Sequence, residues 1–260
     1  MKDIQNSVGI RKIDIDKVGV KGVTYPITVL DKAKKTQHTI ASFTMYVNLP
    51  HHFKGTHMSR FIEIINEYRD EIDIRNFGKI LDKMKEMFQA ESAHIEIEFP
   101  YFIMKHAPIS GEEGLMEYTC SFFGYYGKKK EFIVGIKVPV TTLCPCSKEI
   151  SEFGAHSQRS YVNARLLYKK FFWIEDIIAI IEKSASADVY SLLKRKDEKW
   201  LTERAYNNPM FVEDVVREVS ARLIELDIFE WFSVESENIE SIHNHSAYAF
   251  IEWGERPASL

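Results

Sequence analysis

KVGVKGVTYPITVL (Lys17 to Leu30) and QHTIASFTMYVNL (Gln37 to Leu49) are the stretches whose reading decides the fold. In the first, Val18, Val20, Val23, Tyr25, Ile27 and Val29 recur at near-alternate positions. In the second, Ile40, Ser42, Thr44, Tyr46 and Asn48 take one face, and Ala41, Phe43, Met45 and Val47 take the other. Period two is the signature of a strand with two unlike faces. Asp31 to Lys35 between them is a polar turn, so the pair predicts an antiparallel hairpin.

Outward from the hairpin the period changes. Phe61, Ile64, Ile65 and Tyr68 predict a helix ending near Tyr68, capped by Thr56 or Ser59. Phe77, Ile80, Leu81, Met84, Met87 and Phe88 make an apolar stripe for a second helix over 77–90. Two strands follow, Ala93 to Met104 and Gly114 to Tyr126. The second half repeats the order: strands at Phe132 to Thr142 and Gln158 to Tyr168, helices at Trp173 to Ser184 and Phe211 to Leu226, strands at Ile228 to Glu237 and Ser246 to Trp253. A short helix is expected over Ala187 to Lys194. Residues 1–14 read as an extended leader. The expected fold is α+β, with two antiparallel strand-strand-helix-helix-strand-strand modules, 1–127 and 128–260, meeting at the basic turn Gly127 to Lys130.

Composition narrows the class. The 260 residues are 45% hydrophobic and 28% charged, with 34 Lys and Arg against 38 Asp and Glu, a formal charge of −4. A nucleic-acid surface would be basic, so none is expected. No apolar run reaches the ~18 residues of a membrane span, and the N-terminus lacks a signal-peptide core. The expectation is a cytoplasmic protein with no membrane partner. Three cysteines without an export signal are expected as thiols; Cys120, in an aromatic strand-like run, reads as core.

The other two cysteines lie in LCPCSKEISEFGAHSQRSY (143–161), a polar loop between strands. Cys144 and His156 offer the sulfur and nitrogen donors that suit borderline-soft divalent ions. Spacing alone leaves a catalytic metal, a structural metal and no metal all open. Pro145 is expected to hold Cys146 away from a metal on Cys144. His243 and His245 lie in ESIHNH (240–245), at a strand or its entry, and suit proton transfer, metal binding or turn capping. Glu198 sits in a polar loop before the last long helix. Glu213, in that helix's first turn, either favours the helix dipole or accepts two hydrogen bonds from a guanine-like edge. His57, Arg60, Lys148 and Arg159 are candidates for an anionic tail. No phosphate-binding glycine loop is present.

HFKGTHMSRF (52–61), PCSKEIS (145–151) after Cys144, GAHSQR (154–159), Leu192 to Lys199, NPMFVED (208–214) and ESIHNH together resemble the type IB GTP cyclohydrolases, over nearly the whole chain. The resemblance implies a bimodular tunnelling fold. It also implies a homo-oligomer, here a tetramer, with active sites at subunit interfaces. Carried over by position, the metal ligands are Cys144, His156 and Glu198, for zinc, manganese or ferrous iron. Glu213 anchors the purine. His243 and His245 transfer protons, with Glu240 supporting them. His57, Arg60 and Arg159 meet the triphosphate. The implied activity is hydrolytic opening of the guanine ring of GTP to 7,8-dihydroneopterin triphosphate and formate, the first step of folate synthesis. Two relatives set alternatives. One is the nitrile reductase of the queuosine pathway, with a cysteine nucleophile and NADPH. The other is an archaeal enzyme that makes a cyclic phosphate from GTP. A non-catalytic assembly module would instead hold a metal with four protein ligands.

Overall fold

The computed structural model describes residues 12–259; of the expected leader, residues 1–11 lie outside them. The chain forms two compact units. One takes the residues up to Pro100, Ser121–Val134 and the stretch from Pro257. The other takes Tyr101–Cys120 and Gly135–Arg256. The turn at 127–130, expected as a boundary, therefore lies inside the first unit. The physical reason is strand length: β3 (Ala93–His106), β4 (Glu113–Tyr126) and β5 (Lys130–Leu143) each run for 14 residues, and each gives one end to either unit.

In the first unit, β1 (Ile15–Asp31) and β2 (Lys35–Leu49) form the expected hairpin, from Val18 opposite Val47 to Asp31 opposite Lys35. The turn is built by Asp31, whose carboxylate accepts from the amides of Ala33 and Lys34 and from Gln37 Nε2. Gly19 on β1 faces the Met45 carbonyl so closely that a Cβ would collide with it. The inner face of β2 is buried at Ala41, Phe43, Met45 and Val47, while Ile40 on the other face is 60% exposed. Burying each of the larger side chains contributes about 1.5–3 kcal/mol.

Onto this unit pack α1 (Ser59–Tyr68), burying Phe61, Ile64 and Ile65, and α2 (Phe77–Phe88), burying Phe77, Ile80, Leu81 and Met84. Phe61 stacks on Phe88 and Phe77 on Phe132, with centroids 4.3 and 4.4 Å apart. The cap of α1 departs from expectation. Met58 holds the N-cap position without a side-chain hydrogen bond, and Ser59 is already helical.

In the second unit, β3, β4, β5, β6 (Ser157–Tyr168), β8 (Phe229–Ile239) and β9 (Ser246–Gly254) are hydrogen-bonded in that order, and the short β7 (Ala187–Asp188) pairs with β5. Helix α4 (Ile174–Lys183) buries Ile177, Ile178 and Ile181. Helix α6 (Val212–Leu226) buries Val212, Val215, Val216, Val219 and Leu223 and covers β8 and β9. Cys120 is core, as expected, and burial pushes its thiol pKa up.

Two helices differ from the expected set. The six residues Pro145–Ile150 form α3 inside the polar loop. The helix expected over 187–194 is absent, because Ala187 and Asp188 pair with Thr141 and Val140. The helix begins instead at Arg195, as α5 (Arg195–Asn207). Its start is set by Asp197, which is fully buried and accepts from the Lys194, Ile109 and Ser110 amides and the Ser110 hydroxyl. Among the described residues no helix is long and apolar enough to cross a membrane.

Candidate active site

The site begins where β5 ends. Leu143 is buried, and both of its backbone groups are taken: its N–H donates to Ser186 Oγ (3.1 Å) and its carbonyl accepts from the Met210 amide (3.0 Å). Asn208 Nδ2 donates to the Ala185 carbonyl at 2.9 Å, fixing the same crossing. The approach to α6 is thereby tied to the residue that precedes Cys144.

Cys144 is the N-cap of α3, with Pro145 at the first helical position, where the missing proline N–H costs nothing. Cys144 Sγ accepts from the Ser147 amide at 3.4 Å, and its carbonyl accepts from the Ser147 hydroxyl at 3.2 Å. The loop then closes on itself. The Cys144 amide donates to the His156 carbonyl (3.1 Å), and the His156 amide donates to Ser147 Oγ (3.1 Å). Twelve residues of separation become adjacency through one backbone hydrogen bond and one bond to the Ser147 hydroxyl.

The ring of His156 is oriented by a buried polar chain. Its Nδ1 lies 3.0 Å from Gln158 Oε1. Gln158 Nε2 donates to Thr142 Oγ1 (3.0 Å), which shares a hydrogen bond with Ser160 Oγ (2.8 Å). With the Gln158 amide nitrogen donating to Thr142, its oxygen faces His156 Nδ1 and suits a hydrogen there. The Nε2 lone pair is left for a ligand bond, the usual arrangement behind a metal-bound imidazole. Glu240 Oε2 and Ser241 Oγ lie 3.8 and 3.4 Å from the same Nδ1.

These residues open onto a cavity of about 460 Å³, inside the usual range for a small-ligand pocket. Its wall brings together Cys144, His156, Glu213, Glu240, His243 and His245. Glu213 is exposed in the first turn of α6, where the Phe211 amide donates to Asp214. His243 and His245 are not in a strand but in the turn between β8 and β9, exposed, with rings stacked 4.9 Å apart at 15°. Cys146 also lines the cavity and is exposed.

Glu198 does not line it. It is no loop residue, as expected from sequence, but lies in the first turn of α5 and is exposed. Three and seven residues on, Leu201 and Ala205 pack against Leu143 and Ala187, where Ala155 also packs. That spacing puts Glu198 on the α5 face that meets the Cys144–His156 loop. Asp197 anchors this turn. Burial alone would raise its pKa, but the hydrogen bonds from Ser110, Lys194 and Ile109 outweigh it and hold the carboxyl well below the ordinary range. Among the described residues no three His, Cys, Asp or Glu side chains are already grouped to hold a metal. Cys144 Sγ and His156 Nε2 are nevertheless the thiolate and imidazole donors that fit a borderline-soft divalent ion.

The anionic-tail candidates lie elsewhere. Arg60 Nη1 donates to the Met87 carbonyl (3.0 Å), and the His57 carbonyl accepts from the Arg60 amide (3.1 Å), both in the first unit. Arg159 is exposed on β6 of the second. Lys148 Nζ donates to the Tyr206 carbonyl. Sequence reasoning missed Gln158, Thr142 and Ser186. Gln158 lies in the GAHSQR block but was not singled out there, and Thr142 and Ser186 lie in no quoted block.

Residues 1–249 match the family model described as type I GTP cyclohydrolase folE2. The chain is 64% identical over 253 residues to the GTP cyclohydrolase FolE2 of Syntrophus aciditrophicus (strain SB), covering 97% of this chain and 99% of the relative. It is 60% identical over 252 residues to that of Geobacter metallireducens, covering 97% of each. Among solved structures, uricase from Arthrobacter globiformis superposes with a TM-score of 0.53 at 12% identity, over 94% of this chain and 95% of that one. A hyperthermostable mutant of Bacillus sp. TB-90 urate oxidase gives 0.55 at 10% identity, over 93% and 99%. The likeness to these structures shows the fold, the bimodular antiparallel α+β tunnelling architecture. With the match running through every block that forms the cavity wall, the chain belongs to the type I GTP cyclohydrolase folE2 family.

Proposed function

We propose that the protein is a metal-dependent GTP cyclohydrolase. It opens the imidazole ring of GTP by hydrolysis, releases formate and yields 7,8-dihydroneopterin triphosphate at the entry to folate synthesis. The observation that carries this reading is the single cavity whose wall holds a Cys/His donor pair, a carboxylate on a helix first turn and a stacked histidine pair.

Cys144 and His156 hold the metal, and Glu198 completes the set from α5. When bound, a zinc, manganese or ferrous ion supplies a water acidic enough to act as hydroxide near neutral pH. Gln158 keeps His156 in the tautomer that leaves Nε2 to coordinate. Glu213 accepts from guanine N1–H and the 2-amino group together, fixing the base in the cavity. His243 and His245 deliver a proton to N7 as the imidazole ring opens by addition of water at C8, and a second water then releases C8 as formate; an imidazole is the side chain suited to this proton transfer near pH 7. Glu240, beside His156 and at the root of the histidine turn, holds that turn through its carbonyl, which accepts from the His243 amide at 3.4 Å. His57, Arg60 and Arg159 meet the triphosphate in a cytoplasmic homotetramer whose sites take residues from more than one subunit.

The test is product analysis. Metal-loaded protein given GTP is expected to release one formate per GTP and a pterin that keeps all three phosphates, with activity lost to EDTA and restored by zinc or manganese. A cyclic phosphate product, or NADPH oxidation with a cyano-deazaguanine and no formate, would overturn the reading.

A further inference from the structure

Asn238 sits near the end of β8, on the inward face it shares with Phe232, Val234 and Ser236. It is 2% exposed, and its backbone pairs opposite Ser160 on β6 and Ala247 on β9. The residue is among those lining the cavity. Its Oδ1 is buried and accepts no hydrogen bond among the described residues. The Ser220 and Ser236 hydroxyls are likewise unpartnered, but neither lines the cavity. A buried acceptor left without a donor is unfavourable and rare in folded proteins. One on a residue of a ligand cavity's wall can gain its donor when the ligand arrives.

Guanine states which donor that is. Its Watson–Crick edge carries three N–H hydrogens, one on N1 and two on the 2-amino group. A single carboxylate pairs with two of them, N1–H and one amine hydrogen. The second amine hydrogen needs another acceptor. The cavity wall offers Glu213 for the pair and a neutral, partnerless carboxamide oxygen at Asn238.

We propose that Asn238 Oδ1 accepts this remaining 2-amino hydrogen, so that Asn238 selects guanine over purines lacking the amine. The inference rests on the GTP reading above and adds a specificity residue to it. It accounts for a carboxamide buried at the cavity end of a strand face that is apolar further along, at Phe232 and Val234. A site built to hydrogen-bond a substrate group discriminates strongly against the analogue without it, since the protein group is then buried unpaired.

The test compares GTP with inosine triphosphate, which lacks only the amine, by calorimetric affinity for the metal-loaded wild type and for Asn238→Leu and Asn238→Asp. For GTP, Asn238→Leu is expected to weaken binding by about tenfold or more. For inosine triphosphate it should stay within about twofold, because no amine is there to lose. Asn238→Asp keeps an oxygen at the same place and should retain the preference for GTP. The thermal midpoint of Asn238→Leu should not fall, since an apolar group of similar size replaces an unsatisfied acceptor. Equal losses for both nucleotides, unchanged GTP affinity in Asn238→Leu, or loss of the preference in Asn238→Asp would each overturn the assignment. If the wild type binds GTP but the variants show none of these effects, Asn238 alone is refuted. A wild type that binds and hydrolyses no GTP refutes the proposed function itself.

Discussion

The Cys144–His156 loop and the first turn of α5 carry the proposed metal ligands in contrasting ways. In the loop, a backbone hydrogen bond and the Ser147 hydroxyl close Cys144 onto His156, and a buried glutamine and two hydroxyls orient the imidazole. Both side chains line the cavity before any ligand enters. In α5 the backbone is equally well anchored, through buried Asp197, but the carboxylate of Glu198 is exposed and lies outside the cavity wall. Short, stiff side chains inherit their placement from the backbone. A glutamate has three rotatable bonds and loses up to about 1.5–2 kcal/mol of side-chain entropy when ordered, so it needs its ligand to hold it. Of the three proposed donors, two line the cavity, and the third lies on a neighbouring helix with its carboxylate exposed.

That contrast can be broken most severely at Cys144. Cys144→Ala should abolish both stoichiometric metal binding and GTP hydrolysis, read by elemental analysis and formate release. Full metal content and an undiminished rate would place the centre elsewhere. Glu198→Ala comes next. If Glu198 is a direct ligand, metal affinity should fall by more than the about 10–100-fold typical of an outer-shell change. Gln158→Leu, which removes only the group orienting His156, should stay inside that range in a chelator competition. A reversed ranking would show that Glu198 is outside the coordination sphere.

Asp197→Asn is the gentlest probe, because it leaves every ligand in place and loosens only the anchor of α5. Activity should drop by up to about 10²-fold through misplacement of the turn that carries Glu198. Its stability effect has a defined pH sign. The folded-state pKa of Asp197 is depressed, so its contribution is fully present above the ordinary Asp value of about 3.9 and fades as pH falls toward the folded-state value. Urea midpoints for wild type and variant should therefore differ at pH 7 and converge below about pH 4. A constant gap down to pH 3 would mean that the charge of Asp197 is not what anchors α5.

The hairpin, the two apolar-striped helices of the first unit and α6 were legible in the sequence, because burial on one face imposes a period that composition cannot hide. Ala41, Phe43, Met45 and Val47 are buried as their alternation requires. Helix α5 was not legible. Its run RKDEKWLTERAYN is strongly polar, and only Ala205 and Asp197 are buried. The signal that starts it is a carboxylate accepting from amides about 90 residues away in the chain, at Ile109 and Ser110. The extent of the compact units was also hidden, since β3, β4 and β5 are each long enough to serve both. Within the site, the blocks containing Cys144, His156, Glu213, Glu240, His243 and His245 were readable by resemblance, and the structure gathers them around one cavity. The supporting roles of Gln158, which shares a block with His156, and of Thr142 and Ser186 were not legible, because a buried polar residue's role is recognisable only by its partners.

The most direct test is a crystal structure of the protein loaded with manganese or zinc, with the ion located by anomalous scattering. The prediction is one metal bound by Cys144 Sγ, His156 Nε2 and the Glu198 carboxylate, with a fourth position open to water and Nδ1 of His156 still on Gln158. A metal held by Cys146 in place of Glu198, by four protein groups with no open position, or by the His243 and His245 pair would contradict it.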